Sequence, residues 1–176
     1  MVKKIVIIGP ESTGKSTLCA QLAAHFTTLW CPEYARTYLE THGNHYNYHQ
    51  LLDIAKGQLA LEATYTQQLT QPLLFVDTDM YVMKVWCEYV FGKCHHFILE
   101  QIVQQQYDLY LLCNVDLPWT KDNLREYPDE QPRKELYQLY KDLLINQTVP
   151  WVEISGLNEA RLQIAIEAVE TFVLQQ

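Results

Sequence analysis

Near the start of the chain, Gly9-Pro10-Glu11-Ser12-Thr13-Gly14-Lys15-Ser16 constrains the fold more than any other stretch. It fits G-x-x-x-x-G-K-[ST] without mismatch. Before it runs Lys4-Ile5-Val6-Ile7-Ile8, a continuous apolar stretch that reads as a strand buried on both faces. After it, Leu18, Leu22 and Phe26 recur every four residues and give one face of a helix. A strand, a glycine-bearing turn and a helix N-terminus together make an anion cradle. The glycines let backbone N–H groups point inward, and the helix end adds partial positive charge. In such a loop Lys15 neutralises the β- and γ-phosphates of a nucleotide, and the Ser16 hydroxyl ligates Mg²⁺. Gly9, Glu11, Ser12, Thr13, Gly14 and Thr17 complete the nucleotide-binding set. The expected ligands are therefore a nucleoside triphosphate, as co-substrate, and Mg²⁺.

The rest of the chain alternates strands and helices. Thr28 to Cys31, Leu73 to Val76, Leu109 to Cys113 and Trp151 to Ile154 read as further short strands. Helices are expected over 33–41, 48–68, 82–90, 96–105, a stretch marked by Leu136 to Leu144, and one marked by Leu162 to Val173. This order predicts an α/β fold: a five-stranded parallel sheet with helices on both faces. Residues 114–133 break the pattern. They are polar, mix both charge signs and hold Pro118, Pro128 and Pro132. A mobile lid is expected there, within a single domain spanning 1–176.

A nucleotide-borne metal needs a second protein ligand. Asp77, at the end of a buried strand, has the expected form. Asp79 follows two residues later and reads either as a proton acceptor or as the cap of the next helix. Asp77 precedes Thr-Asp-Met, not the x-x-Gly of a nucleotide switch, and Asn114-Val115-Asp116 lacks the Lys of the guanine-reading Asn-Lys-x-Asp pattern. Both features lean towards a small-molecule kinase and away from a GTPase. Arg125 lies in the lid and Arg133 closes it. A lid arginine stabilises charge on a transferring phosphoryl group, though Arg125 also reads as a solvated partner of Asp122 or Glu126.

On the acceptor side, Glu33-Tyr34-Ala35-Arg36 opens a helix and places a carboxylate and a guanidinium one turn apart. They suit either a polyol and a phosphate, or an i,i+3 ion pair. Trp30, Tyr65 and Trp86 supply aromatic faces for a flat or cationic heterocycle. Cys87, Cys94, His95 and His96 lack the spacing of a zinc motif and read as structural. The net charge of −8 argues against a general nucleic-acid binder. No apolar run approaches a membrane span. The five cysteines, odd in number and irregularly spaced, suit free thiols in a reducing compartment, and a cytoplasmic location is expected.

Taken in order, Gly9–Thr17, Glu33-Tyr34-Ala35-Arg36, Asp77-Thr78-Asp79, Trp86 with Gly92, and Asp116-x-Pro118-Trp119 with Asp122 and Arg125 resemble the ribosylnicotinamide kinase domain of NadR-type proteins, a NadR-like AAA domain. The resemblance covers nearly the whole chain. It implies a P-loop nucleoside-kinase-like fold with a lid, and ATP-dependent phosphorylation of the 5′-hydroxyl of nicotinamide riboside to the mononucleotide. Carried over by position, Glu33, Arg36, Asp77 and Asp79 form the reacting centre, with Asp79 or Glu33 orienting or deprotonating the hydroxyl. Arg125 and Arg133 belong to the lid, with Arg133 expected to bind the nucleotide. NadR-type proteins often carry an adenylyltransferase domain, and some a DNA-binding domain, ahead of the kinase. This chain starts at the kinase strand, so neither activity is expected of it. Where those proteins place an aromatic directly before E-Y-G-R, this chain has Pro32, and its nearest aromatic is Trp30. The alternatives are a kinase for another nucleoside or small polyol, and a non-catalytic ATP- or GTP-binding regulatory protein.

Overall fold

The computed structural model describes residues 1–121, 127 and 129–175. Five strands, β1 (Lys3–Ile8), β2 (Leu29–Cys31), β3 (Leu73–Asp77), β4 (Leu109–Cys113) and β5 (Trp151–Ile154), form one sheet in the order β2-β3-β1-β4-β5. Every pairing is parallel. Between them run α1 (Lys15–His25), α2 (Tyr34–His42), α3 (Tyr48–Gln68), α4 (Met80–Phe91), α5 (His96–Gln104), α6 (Glu130–Ile145) and α7 (Asn158–Val169), the last continued by a π-helical turn, Glu170–Leu174.

The period-two geometry of a strand divides the core. Ile5 and Ile7 of β1 face α1 and α7, together with Phe75, Leu109 and Leu111. Val6 and Ile8 face α4 and α6, together with Val76, Tyr110 and Leu112. Each fully buried aliphatic side chain contributes about 1.5–3 kcal/mol, so the three central strands anchor the fold. Helix α3 begins with a capping box: Asn47 accepts from the Gln50 N–H, and Gln50 reaches back to the Asn47 N–H. It packs with α2, α4 and α5 around a separate core that includes Leu51, Ile54 and Met83. Among the described residues no helix is long and apolar enough to cross a membrane.

One sequence boundary shifts. Helix α6 already runs from Glu130, so Arg133 lies in its first helical turn and not in a lid loop. Pro132 is tolerated there because first-turn N–H groups have no intrahelical acceptor.

Candidate active site

Strand order places the site. Parallel strands end on one side of the sheet, where β1, β2 and β3 deliver the phosphate loop, Glu33 and Asp77 together. One cavity there is lined by Gly9 through Thr17, by Glu33, Ala35, Arg36 and Leu39, and by Trp86, Tyr89, Tyr127 and Tyr140. The phosphate loop thus forms one end, and the start of α2 with one face of α4 forms the other.

Local backbone geometry explains the glycines. Gly9 has φ 145°, and a Cβ there would stand 2.7 Å from the Cys113 carbonyl oxygen of the neighbouring strand. Gly14 has φ 76° and opens α1. Lys15 Nζ donates to the Pro10 carbonyl across the loop at 2.9 Å. Behind the loop, the buried Arg161 of α7 donates to Thr13 O at 2.6 Å and to Asp116 Oδ1 at 2.8 Å, bracing the turn from below. Nothing in the sequence flagged Arg161, because a lone arginine in a helix carries no motif.

Ser16 Oγ donates to Asp77 Oδ2 at 2.5 Å, while Asp77 Oδ1 is buried and has no hydrogen-bond partner among the described residues. A buried carboxylate oxygen left unpaired beside a hydroxyl fits a hard cation. The Asp77 carboxyl is pushed up to about 6, by burial first and then by the neighbouring Glu33, with Lys15 opposing the shift. Added positive charge between these groups is therefore favoured.

Asp79 faces elsewhere. The chain turns at Thr78, which has φ 80°. Asp79 then caps α4, its Oδ1 accepting from Tyr81 N at 3.0 Å and Val82 N at 3.3 Å. Its Oδ2 accepts from Tyr110 OH at 2.9 Å. Both oxygens are engaged inside the protein and the residue is absent from the cavity wall, so the capping reading is the one the geometry adopts.

The aromatic expectations divide in the same way. Trp86 lines the cavity, and its indole Nε1 donates to Tyr46 OH at 2.8 Å, which fixes the ring. Trp30 does not line it. As the middle residue of β2 its side chain packs on the α1 face, opposite to Leu29 and Cys31. Tyr65 packs beside the buried core of the α4–α6 layer, away from the cavity wall. Arg133 is 5 % exposed, its Nε and Nη1 have no hydrogen-bond partner among the described residues, and it likewise is not part of that wall. Arg125 lies outside the described residues. His95 Nε2 contacts Tyr48 O at 2.7 Å and its ring stacks on Tyr48, a packing role. Tyr127 and Tyr140 join the site without having been anticipated; Tyr140 showed only as part of a helical stripe.

Trp119, Thr120 and Tyr127, which follow β4, contact the loop. Glu11 Oε1 accepts from Tyr127 N at 2.5 Å and from Trp119 Nε1 at 3.4 Å, and Ser12 Oγ accepts from Thr120 N at 2.9 Å.

Comparison with known proteins agrees with this architecture. The trifunctional NAD biosynthesis/regulator protein NadR of Escherichia coli (strain K12) is 29 % identical over 180 residues, covering 99 % of this chain and 44 % of that protein. Its counterpart from Salmonella typhimurium (strain LT2) is 28 % identical over the same coverage. The chain thus spans less than half the length of these relatives. Among solved structures, the NadR protein in complex with NR superimposes with a TM-score of 0.77 at 22 % identity, over 97 % of this chain and 50 % of that one. A thymidylate kinase from Candida albicans gives 0.67 at 16 % identity, over 97 % and 92 %. These likenesses place the fold among P-loop kinases. The AAA domain family model matches residues 4–161, most of the chain, and the protein belongs to that family.

Proposed function

We propose that this protein is an ATP-dependent nucleoside kinase that phosphorylates the 5′-hydroxyl of nicotinamide riboside to the mononucleotide. The observation that carries the reading is a cavity with the phosphate loop at one end and Glu33, Arg36 and Trp86 at the other. The relatives support it: one is a trifunctional NAD biosynthesis/regulator protein, and one similar structure holds NR.

Each residue has a role that follows from its place. The loop N–H groups and Lys15 hold the triphosphate and neutralise its charge. Ser16 and Asp77 would hold Mg²⁺, which when bound offsets charge on the β- and γ-phosphates. Glu33 reaches the cavity with a carboxylate that does not cap its own helix, so it is the group that orients the hydroxyl and receives its proton. Asp79, tied into α4, supports that helix from behind. Arg36 binds the acceptor's polar edge, and Trp86 offers a face to the pyridinium ring. Arg125 supplies cationic charge to the transferred group; Arg133, buried in α6 and outside the cavity wall, takes no part in it.

The test is incubation with Mg-ATP and a nucleoside panel, with products read by mass spectrometry. Nicotinamide riboside is expected to give the monophosphate faster than uridine or cytidine. A faster reaction with another nucleoside would replace the acceptor assignment. A steady ATP or GTP hydrolysis with no phosphorylated nucleoside would favour a regulatory nucleotide-binding protein.

A further inference from the structure

Glu33 stands at a break in the chain, between Cys31 at the end of β2 and Tyr34 at the start of α2. A side chain at such a break is only as well placed as the backbone on either side of it. Helix α3 supplies the hold. Gln58 is 1 % exposed and takes no part in the cavity wall. Its Oε1 accepts from Tyr34 N at 2.7 Å. Its Nε2 donates to Pro32 O at 3.4 Å, to Asp77 O at 3.5 Å and to Cys31 Sγ at 3.7 Å. One amide therefore grips the residues before and after Glu33 and also the end of β3.

The adjacent residue adds an independent contact. A Cβ at Gly57 would lie 2.0 Å from Tyr34 Cε1 and 2.4 Å from Cδ1. The Tyr34 ring lies against α3 only because that Cβ is missing. An aliphatic side chain would fill the space of Gln58 without the desolvation cost of a buried amide. An amide is useful there for the directional bonds it makes.

We infer that Gln58, with Gly57 beside it, is a positioning residue for phosphoryl transfer: it fixes the Glu33 carboxylate relative to Asp77 and the phosphate loop. The inference rests on the proposed role of Glu33.

The experiment compares Gln58→Leu, Gln58→Glu and Gly57→Ala with Glu33→Gln, and adds the Gln58→Leu/Glu33→Gln double variant. It measures kcat, both KM values, and affinity for a non-hydrolysable ATP analogue. Gln58→Leu and Gly57→Ala are expected to lower kcat about ten- to hundred-fold, the usual cost of sub-ångström to ångström misplacement. Affinity for the ATP analogue should stay within about two-fold. In the Glu33→Gln background, Gln58→Leu should cost nothing further, because its effect runs through Glu33. Gln58→Glu keeps the acceptor for Tyr34 N and loses the amide donor; it carries the test should the leucine variant not fold. A normal kcat with a lowered Tm would overturn the positioning role, as would losses that multiply in the double variant. If Glu33→Gln alone leaves turnover intact, the reading of Glu33 fails first. If Glu33→Gln is inactive while the Gln58 and Gly57 variants are normal, only the positioning inference fails.

Discussion

At the scale of single residues, Asp77 and Asp79 show how two carboxylates of one motif acquire different work. Asp77 keeps an unpaired buried oxygen beside Ser16. Asp79 spends both oxygens on Tyr81, Val82 and Tyr110. Asp77→Asn should therefore raise the Mg²⁺ concentration for half-maximal activity by about ten-fold or more, since a neutral amide is a weaker ligand for a hard cation; an unchanged Mg²⁺ titration would exclude Asp77 as ligand. Lys15→Ala should lower turnover by about two orders of magnitude or more while leaving the ligand-free Tm near its original value. Among the described residues the Lys15 ammonium makes one hydrogen bond, to the Pro10 carbonyl, so little folding energy depends on it. The phosphate loop was legible from residue types alone, because glycine and lysine carry their chemistry in their spacing; Glu33 was not, since its spacing to Arg36 read equally as an ion pair. Trp30 was misread because closeness along the chain ignores the pleat, which turns it to the far face of β2. Gln58 and Arg161 were invisible, since their partners lie 24 and 148 positions away in sequence.

At the scale of elements, α4 links the sheet to the acceptor end of the cavity. Its N-terminus is set by Asp79, and Tyr110 of β4, itself contacted by Gln105 at 3.1 Å, holds that carboxylate in place. Burial pushes the Asp79 carboxyl up to about 7 from 3.8, against the lowering effect of its hydrogen bonds. Between those two values the folded chain holds a proton that the unfolded chain has released. This group's contribution to stability therefore rises as pH falls from about 7 towards 4, and it is lost as pH rises through the folded value. Asp77 acts in the same sense. Asp79→Asn should flatten that dependence, by about 2 kcal/mol between pH 8 and 5.5, in thermal melts of the ligand-free protein. Identical pH slopes in the two proteins would contradict the buried-carboxylate account of the cap. Element types and order were readable from periodicity, and the start of α6 was not. Three prolines and mixed charge resemble a loop, yet the first turn of a helix accepts proline.

At the scale of the whole molecule, β1 lies at the centre of the sheet, and that position brings distant segments into one cavity. Asp77 stands in register with Ile7, two residues before Gly9. The parallel strands deliver their C-terminal ends to the same side, so a strand-end carboxylate, a helix-opening carboxylate and a phosphate loop meet without any sequence continuity. Trp86, fixed by Tyr46, then faces the same space from α4. Trp86→Ala should cost about 1–2 kcal/mol, roughly ten-fold in kcat/KM, with the cationic riboside, and less with its neutral dihydropyridine form. Equal losses for the two substrates would show that the ring contributes packing and not recognition of charge. The most direct measurement of phosphoryl transfer in this cavity is a ³¹P NMR time course with Mg-ATP and nicotinamide riboside. The expected result is one phosphomonoester formed for each ADP released, with no accumulation of inorganic phosphate. ADP appearing together with inorganic phosphate and no phosphomonoester would contradict the kinase assignment.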